Sequence, residues 1–106
     1  MKRGEIWWVV LDPAVDSEAR KTRPAVIVSN DHSNAAQSRV QVVLCSSVIK
    51  AIHAWEAPVT INGRRSKAMA DQIRTVAKHR LRERLSVLTP DEMEWVEDAI
   101  RLQLGL

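Results

Sequence analysis

Short apolar runs rich in β-branched residues recur through the first 88 residues, and polar or turn-forming residues separate them. Runs of this length and composition are typical of β-strands. Both alternating faces of the first run are apolar, which predicts a strand that is buried on both sides. The predicted strands are Glu5–Leu11, Ala25–Ser29, Val40–Cys45, Glu56–Ile61 and Lys67–Ala77, and Asn62–Gly63 forms a tight turn before the last of them.

Helical periodicity is clearest at the end of the chain. Thr89, Pro90 and Glu92 together form a capping box with a proline start, so a helix should begin there. Met93, Val96, Ile100 and Leu104 then repeat at helical spacing. A short helical turn is predicted after Asn30, and a basic connector with a short strand or helical turn over Lys78–Leu88.

Many short strands followed by one closing helix predict a mainly β fold with some α. The expected architecture is a small, strongly bent SH3-like barrel with short helical inserts and a C-terminal helix. With 106 residues and no linker, repeat or low-complexity tract, the chain is predicted to be a single domain spanning residues 1–106.

Charge is unevenly distributed along the chain. Residues 1–89 carry 15 Lys and Arg against eight Asp and Glu, whereas residues 90–106 carry one against five. A basic body attracts phosphate polymers such as RNA, although solubility alone also explains a basic surface. The single cysteine, Cys45, excludes an intramolecular disulfide and suits a reducing cytoplasm, and no apolar stretch approaches the ~20 residues that span a bilayer.

A charged segment that runs directly into an apolar strand, Ser17 to Asp31, is the main candidate for chemistry. Pro24 biases Arg23 toward an extended backbone, so the guanidinium is expected at the entrance of a strand. Glu18 lies five residues earlier. The pair is either a loop ion pair that caps a sheet or part of a site for an anionic substrate.

Several segments together make the chain resemble the MazF/PemK family of toxin ribonucleases. Each segment is weakly specific alone, but their order and spacing are specific in combination. The resemblance spans nearly the whole chain and rests on Lys2–Val9, Leu11–Pro13, Ser17–Glu18, Arg23–Ser29, Cys45–Ser47 and Ala70–Thr75.

The resemblance implies a metal-independent endoribonuclease for single-stranded RNA. Arg23 and Ser46 match the family's catalytic Arg and strand-end Thr, and Glu18 matches an acidic loop residue. An arginine deprotonates very poorly, so Arg23 should hold the scissile phosphate. Ser46 should donate a hydrogen bond to it, and Glu18 is the candidate general base, unless it only orients Arg23 or Lys21.

Substrate binding is expected from basic and amide side chains around these residues. Gln72 can read a base edge, while Asp71 either accepts from an exocyclic amine or forms a salt bridge with Arg74. Trp8 or Trp55 can stack an unpaired base, although core packing is the alternative for Trp8. The predicted substrate-binding residues are Arg20, Lys21, Ser47, Lys50, Asp71 and Gln72.

Neither a histidine pair nor a metal centre is expected. His32, His53 and His79 fall in predicted turns or connectors and are interpreted as solvated surface residues. With Cys45 they show no metal-ligand spacing, so no metal or other cofactor is predicted, and Cys45 is interpreted as a buried strand-end residue.

The resemblance also implies partners. These are single-stranded RNA, a second copy of the chain in a homodimer, and an antitoxin whose acidic, hydrophobic C-terminal tail fills the RNA groove and displaces the loop over residues 12–22. Two alternatives remain: a gyrase-binding toxin of the related CcdB type, and an RNA-binding module without activity.

Overall fold

The computed structural model describes residues 1–11 and 22–106. Six strands and two helices account for most of this part of the chain. They are β1 (Glu5–Val10), β2 (Thr22–Ile27), α1 (Asp31–Ala36), β3 (Arg39–Ser46), β4 (Glu56–Ile61), β5 (Arg64–Ala77), β6 (Leu81–Val87) and α2 (Pro90–Leu104), with a 3₁₀ turn at Lys78–Arg80.

All six strands belong to one sheet in the order β4-β5-β3-β2-β1-β6, and every neighbouring pair is antiparallel. The edge strands β4 and β6 also contact one another, so the sheet is strongly bent, and α2 packs against β4 and β5. The predicted mainly β class with a closing helix is confirmed. Within the described residues, no helix is both long and apolar enough to cross a membrane.

Two hydrophobic clusters, one on each face of the sheet, hold the fold together. Ala25, Val26 and Ile27 are fully buried, and these successive residues of β2 point alternately into the two clusters. In β1, Ile6 belongs to the first cluster and Val9 to the second. The prediction that the first strand is buried on both faces is therefore confirmed.

Local signals set the ends of two elements. The Thr89 hydroxyl accepts a hydrogen bond from the Glu92 N–H at 3.2 Å, and the Glu92 carboxylate accepts one from the Thr89 N–H at 2.9 Å. This reciprocal pair confirms the predicted capping box. Asn62 and Gly63 both have positive φ, 50° and 79°, the conformation that a two-residue β-hairpin turn requires.

Some boundaries differ from the predictions. β2 begins at Thr22 and ends at Ile27, because the Val28 and Ser29 N–H groups both turn to the Gln41 carbonyl. The predicted connector with a short strand or helical turn over Lys78–Leu88 contains both: the 3₁₀ turn, and the seven-residue strand β6, which pairs with β1.

The apolar stripe of α2 ends earlier than predicted. Val96 and Ala99 are buried, and Met93 and Ile100 pack against them, but Leu104 is half exposed. Every residue from 101 onward is exposed, so the last turn of the helix makes no core contact in this chain.

Candidate active site

The ends of two adjacent strands bring Arg23 and Ser46 to the same place. Arg23 is the second residue of β2, opposite Val9, and Ser46 is the last residue of β3, opposite Lys67. β2 and β3 are neighbours in the sheet. Both residues line a larger cleft of about 580 Å³ and a smaller one of about 420 Å³, so they form the wall that the two clefts share.

The two side chains are suited to binding an anion. Arg23 is partly buried, and within residues 1–11 and 22–106 no carboxylate lies within ion-pair distance of it. The Ser46 hydroxyl accepts a hydrogen bond from the Val48 N–H at 3.1 Å. This contact fixes the hydroxyl oxygen and leaves its proton available for donation to a ligand.

The larger cleft is mostly apolar beyond this wall. Trp8, Ile61 and Leu85 line it, together with Ser47. Of the two adjacent tryptophans, Trp8 therefore faces a groove, whereas Trp7 packs against the second cluster and donates its indole N–H to Glu5 at 3.0 Å. Ser47 is exposed and lies on the larger cleft only.

The smaller cleft is polar and cationic. Lys50, His53, Lys67 and Gln72 line it beside the shared wall, and no acidic side chain among the described residues does. Arg23 and Lys50 form no ion pair within residues 1–11 and 22–106, and unbalanced positive charge of this kind favours phosphate groups.

A nearly buried ion pair supports the floor of the smaller cleft. The Lys67 ammonium lies 3.1 Å from the Glu56 carboxylate and also donates to the Ala51 carbonyl at 3.2 Å. Burial raises the pKa of Glu56, but hydrogen bonds from the His53 N–H and from Lys67, together with the charge of Lys67, outweigh it and hold that pKa below its ordinary value of 4.5. The carboxylate is therefore ionised in the folded protein at neutral pH.

Asp71 and Gln72, predicted as a pair, lie in different surroundings. β3 pairs Val43 with Ile73 and then Leu44 with Met69, so residues 70–72 of β5 have no partner on β3. Gln72 lines the smaller cleft, with its amide nitrogen 3.7 Å from the Met69 sulfur. Asp71 is exposed, lines neither cleft, and forms no ion pair with Arg74 or any other described residue.

Three predicted site residues, Glu18, Arg20 and Lys21, lie outside the described residues. Of the other six, five lie on the clefts and Asp71 on neither: Lys50 and Gln72 line the smaller cleft, Ser47 the larger, and Arg23 and Ser46 both.

Two residues that line the smaller cleft, His53 and Lys67, and the Glu56 carboxylate that pairs with Lys67 were not singled out as site residues in the sequence. His53 is exposed, as predicted, but it also lines the cleft and stacks on Trp55. No pattern in the sequence signals this stack, because residues 53–56 form a turn, closed by the hydrogen bond from the Glu56 N–H to the His53 carbonyl, and not an extended run. Glu56 and Lys67 gave no signal, since their contact depends on how β4 pairs with β5.

The described part of the chain contains neither a metal-binding group of side chains nor an exposed, reactive thiol. No group of three or more His, Cys, Asp and Glu residues there is arranged to hold a metal ion. Cys45 is fully buried, and burial raises the pKa of its thiol to about 12. A thiol of this kind is inert at neutral pH, consistent with the predicted strand-end role.

Comparison with known proteins identifies the family. Residues 2–104 match the family described as "PemK-like, MazF-like toxin of type II toxin-antitoxin system". Endoribonuclease MazF9 of Mycobacterium tuberculosis is 39% identical over 115 residues, covering 100% of this chain and 98% of the relative. Endoribonuclease MazF of Staphylococcus saprophyticus is 32% identical over 114 residues, covering 100% of this chain and 92% of the relative.

A solved structure shares the fold. It is an endoribonuclease in complex with its cognate antitoxin from a mycobacterial species, with a TM-score of 0.83, 24% identity, and coverage of 100% of this chain and 96% of that one. The family match extends over nearly the whole chain, and both sequence relatives align with all of it. This chain belongs to the PemK-like, MazF-like toxins of type II toxin–antitoxin systems.

Proposed function

We propose that this chain is a toxin endoribonuclease that cuts single-stranded RNA within a short sequence and needs no metal ion. The observation that carries the proposal is the meeting of Arg23 and Ser46 at the wall of a cationic cleft. Family membership and the two relatives named as endoribonucleases support it. Cytoplasmic RNA is the expected target.

The proposed reaction uses the nucleophile that RNA already carries. The 2′-oxygen attacks the adjacent phosphorus and loses its proton to a base, the P–O5′ bond breaks, and the 5′-oxygen gains a proton. The products are a 2′,3′-cyclic phosphate upstream and a 5′-hydroxyl downstream. Glu18 is the proposed base, and it lies outside the described residues.

Arg23 and Ser46 stabilise the charge that develops on the phosphate. The planar guanidinium offers paired N–H donors that match two phosphate oxygens. The Ser46 hydroxyl, held by the Val48 N–H, adds a further donor from the neighbouring strand. Donors fixed in this way act in the transition state without reorganising, and losing one of them costs roughly 100- to 1000-fold in rate.

The proposed protein partners are a second copy of this chain and an antitoxin. The larger cleft combines apolar walls at Trp8, Ile61 and Leu85 with the cations Arg23 and Arg64. A peptide tail that is both hydrophobic and acidic complements such a surface and competes electrostatically with RNA. The related mycobacterial structure, solved with its cognate antitoxin, supports this pairing.

The test is cleavage of a long single-stranded RNA in EDTA. We expect fragments that carry cyclic phosphate and 5′-hydroxyl ends, and sequencing of the 5′-hydroxyl ends gives the cut sequence. A single deoxyribose placed upstream of the scissile bond should abolish the cut, and scission that persists there refutes the mechanism. Gyrase inhibition without RNA fragments indicates the CcdB-type alternative, and RNA retention without cutting indicates a binding module.

A further inference from the structure

Two aromatic rings are stacked at the edge of the smaller cleft. The ring centroids of His53 and Trp55 lie 4.7 Å apart, and the ring planes differ by 8°. Trp55 covers one face of the imidazole, while His53 remains exposed and lines the cleft. The uncovered face of His53 is thus the end of a two-ring column that borders the cleft.

The backbone on which the column stands is fixed by hydrogen bonds. The His53 N–H donates to the Glu56 carboxylate at 2.9 Å, and the His53 carbonyl accepts from the Glu56 N–H at 2.9 Å. The Trp55 carbonyl accepts from the Ala70 N–H of β5 at 3.0 Å. Both residues of the stack are therefore tied to the sheet on which the cleft is built.

The Glu56–Lys67 ion pair adds a second tether. Lys67 reaches across from β5 to Glu56 and also holds the Ala51 carbonyl, two residues before His53. Rings that are already held in place lose little conformational entropy when a ligand stacks on them, so less of the stacking energy is offset by that entropy cost.

The chemistry of the cleft identifies the class of ligand. A phosphate bound by Arg23 and Ser46 would lie at one wall of the same cleft that His53 borders. An unpaired nucleobase presents a flat π face, and stacking of such bases on aromatic side chains is a general mode of single-strand recognition. The Gln72 amide in this cleft adds a group that can hydrogen-bond to a base edge.

We propose that the His53–Trp55 stack binds an unpaired base of the RNA next to the scissile phosphate and so helps to choose where the strand is cut. The inference rests on the proposed endoribonuclease function and deepens it. His53 is the contacting ring, Trp55 backs it, and Glu56 and Lys67 position it.

The test compares His53→Ala, His53→Phe and the control His79→Ala on a short RNA with a mapped cut site. His79 is also exposed, but it lies on the 3₁₀ turn and lines neither cleft. We expect His53→Ala to lose roughly 5- to 150-fold in kcat/KM, the range of one base stack. His53→Phe should recover most of the loss, and His79→Ala should match the wild type. Circular dichroism and urea unfolding check that each variant is folded.

An abasic ribose placed in turn at each position beside the cut locates the stacked base. At one position, removal of the base should lower the kcat/KM of the wild type by the same factor as His53→Ala lowers it on the intact RNA. For the His53→Ala variant, kcat/KM on this abasic RNA should be nearly the same as on the intact RNA, because the stacking interaction is already absent. Additive losses at every position, or an unchanged kcat/KM and cut-site distribution in His53→Ala, overturn the proposal, and so does a His53→Phe variant that recovers nothing.

Failure of the proposed function has a different outcome. A wild type that cuts no RNA refutes the nuclease, and the stack is then judged by fluorescence anisotropy with a labelled, 2′-deoxy-substituted oligonucleotide. The same loss of affinity in His53→Ala, with recovery in His53→Phe, supports the base contact. Equal affinity of wild type and His53→Ala refutes it.

Discussion

Replacing Glu56 with glutamine tests the ion pair beneath the smaller cleft. The substitution keeps an oxygen that can accept the His53 N–H but removes the negative charge that faces Lys67. The Glu56 and Lys67 side chains are only 6% and 13% exposed. The ammonium of the variant keeps two neutral acceptors, the Ala51 carbonyl and the glutamine oxygen, but it has no anion to balance its charge in a largely buried site.

The size of the effect follows from this partial burial. Removing one member of a fully buried pair costs about 3–5 kcal/mol, whereas an exposed pair contributes about 0–1 kcal/mol. In the variant, Lys67 keeps some solvent contact, the Ala51 carbonyl and the glutamine oxygen. We therefore expect Glu56→Gln to lower the free energy of unfolding by about 2 kcal/mol, between these limits.

Urea unfolding measures this loss as a shift of the midpoint. A domain of this size has a slope of about 1–3 kcal/mol per molar urea, so the midpoint should fall by roughly 1 M. Protein concentration is held constant, because a dimer makes the midpoint depend on it. Glu83→Gln is the matched control, since Glu83 is exposed on β6 and pairs with no cation among the described residues.

A pH series gives the same experiment a second readout. The pKa of Glu56 is lower in the folded chain than its ordinary 4.5, so its contribution is fully present above that value and disappears as the pH falls through the folded pKa. Glutamine does not titrate. The difference in free energy of unfolding between wild type and Glu56→Gln should have its full size at pH 7 and shrink below about pH 4.5. A difference that stays constant down to pH 3, or a variant as stable as the wild type at pH 7, refutes the reasoning.

Three further perturbations probe the site, the helix and the core. Arg23→Ala should reduce the rate of RNA cleavage by roughly 100- to 1000-fold or more, while its urea unfolding midpoint stays close to that of the wild type. Ser46→Ala should cut slowly but remain folded. Unfolding of either variant in buffer would instead indicate a structural role. Thr89→Ala removes the cap from α2 and should lower the free energy of unfolding by about 1 kcal/mol, which calorimetry would record as a fall in Tm of roughly 4–8 °C. An unchanged Tm would contradict this prediction. Cys45, with its pKa raised to about 12, should react with a thiol reagent at pH 8 only as fast as the chain unfolds, so rapid labelling of the native protein would show that the thiol is accessible.

Features that depend on a few consecutive residues were predictable from the sequence. The start of α2 follows from Thr89, Pro90 and Glu92, and the β4–β5 hairpin follows from Asn62–Gly63, because these residues satisfy or permit the local backbone directly. The strand bounds Glu56–Ile61 were also predicted, since the turn fixes one end.

Features that depend on strand partners were not predictable. No local pattern indicates that residues 70–72 lack partners on β3, which places Gln72 and Asp71 in different surroundings. The Glu56–Lys67 pair has the same origin, because it forms only once β4 and β5 are in register. Arg23 and Ser46 were grouped by the family resemblance, and physical reasoning on an isolated sequence does not reveal that β2 and β3 are neighbours.

The wall shared by the two clefts has a consequence for inhibition. Arg23 borders both chambers, and a guanidinium has only one set of donors. A small compound with an apolar body between Trp8 and Leu85 and one hydrogen-bond acceptor facing Arg23 would occupy donors that the neighbouring chamber needs. Drug-like blockers of this protein therefore need not imitate a nucleotide or carry a phosphate.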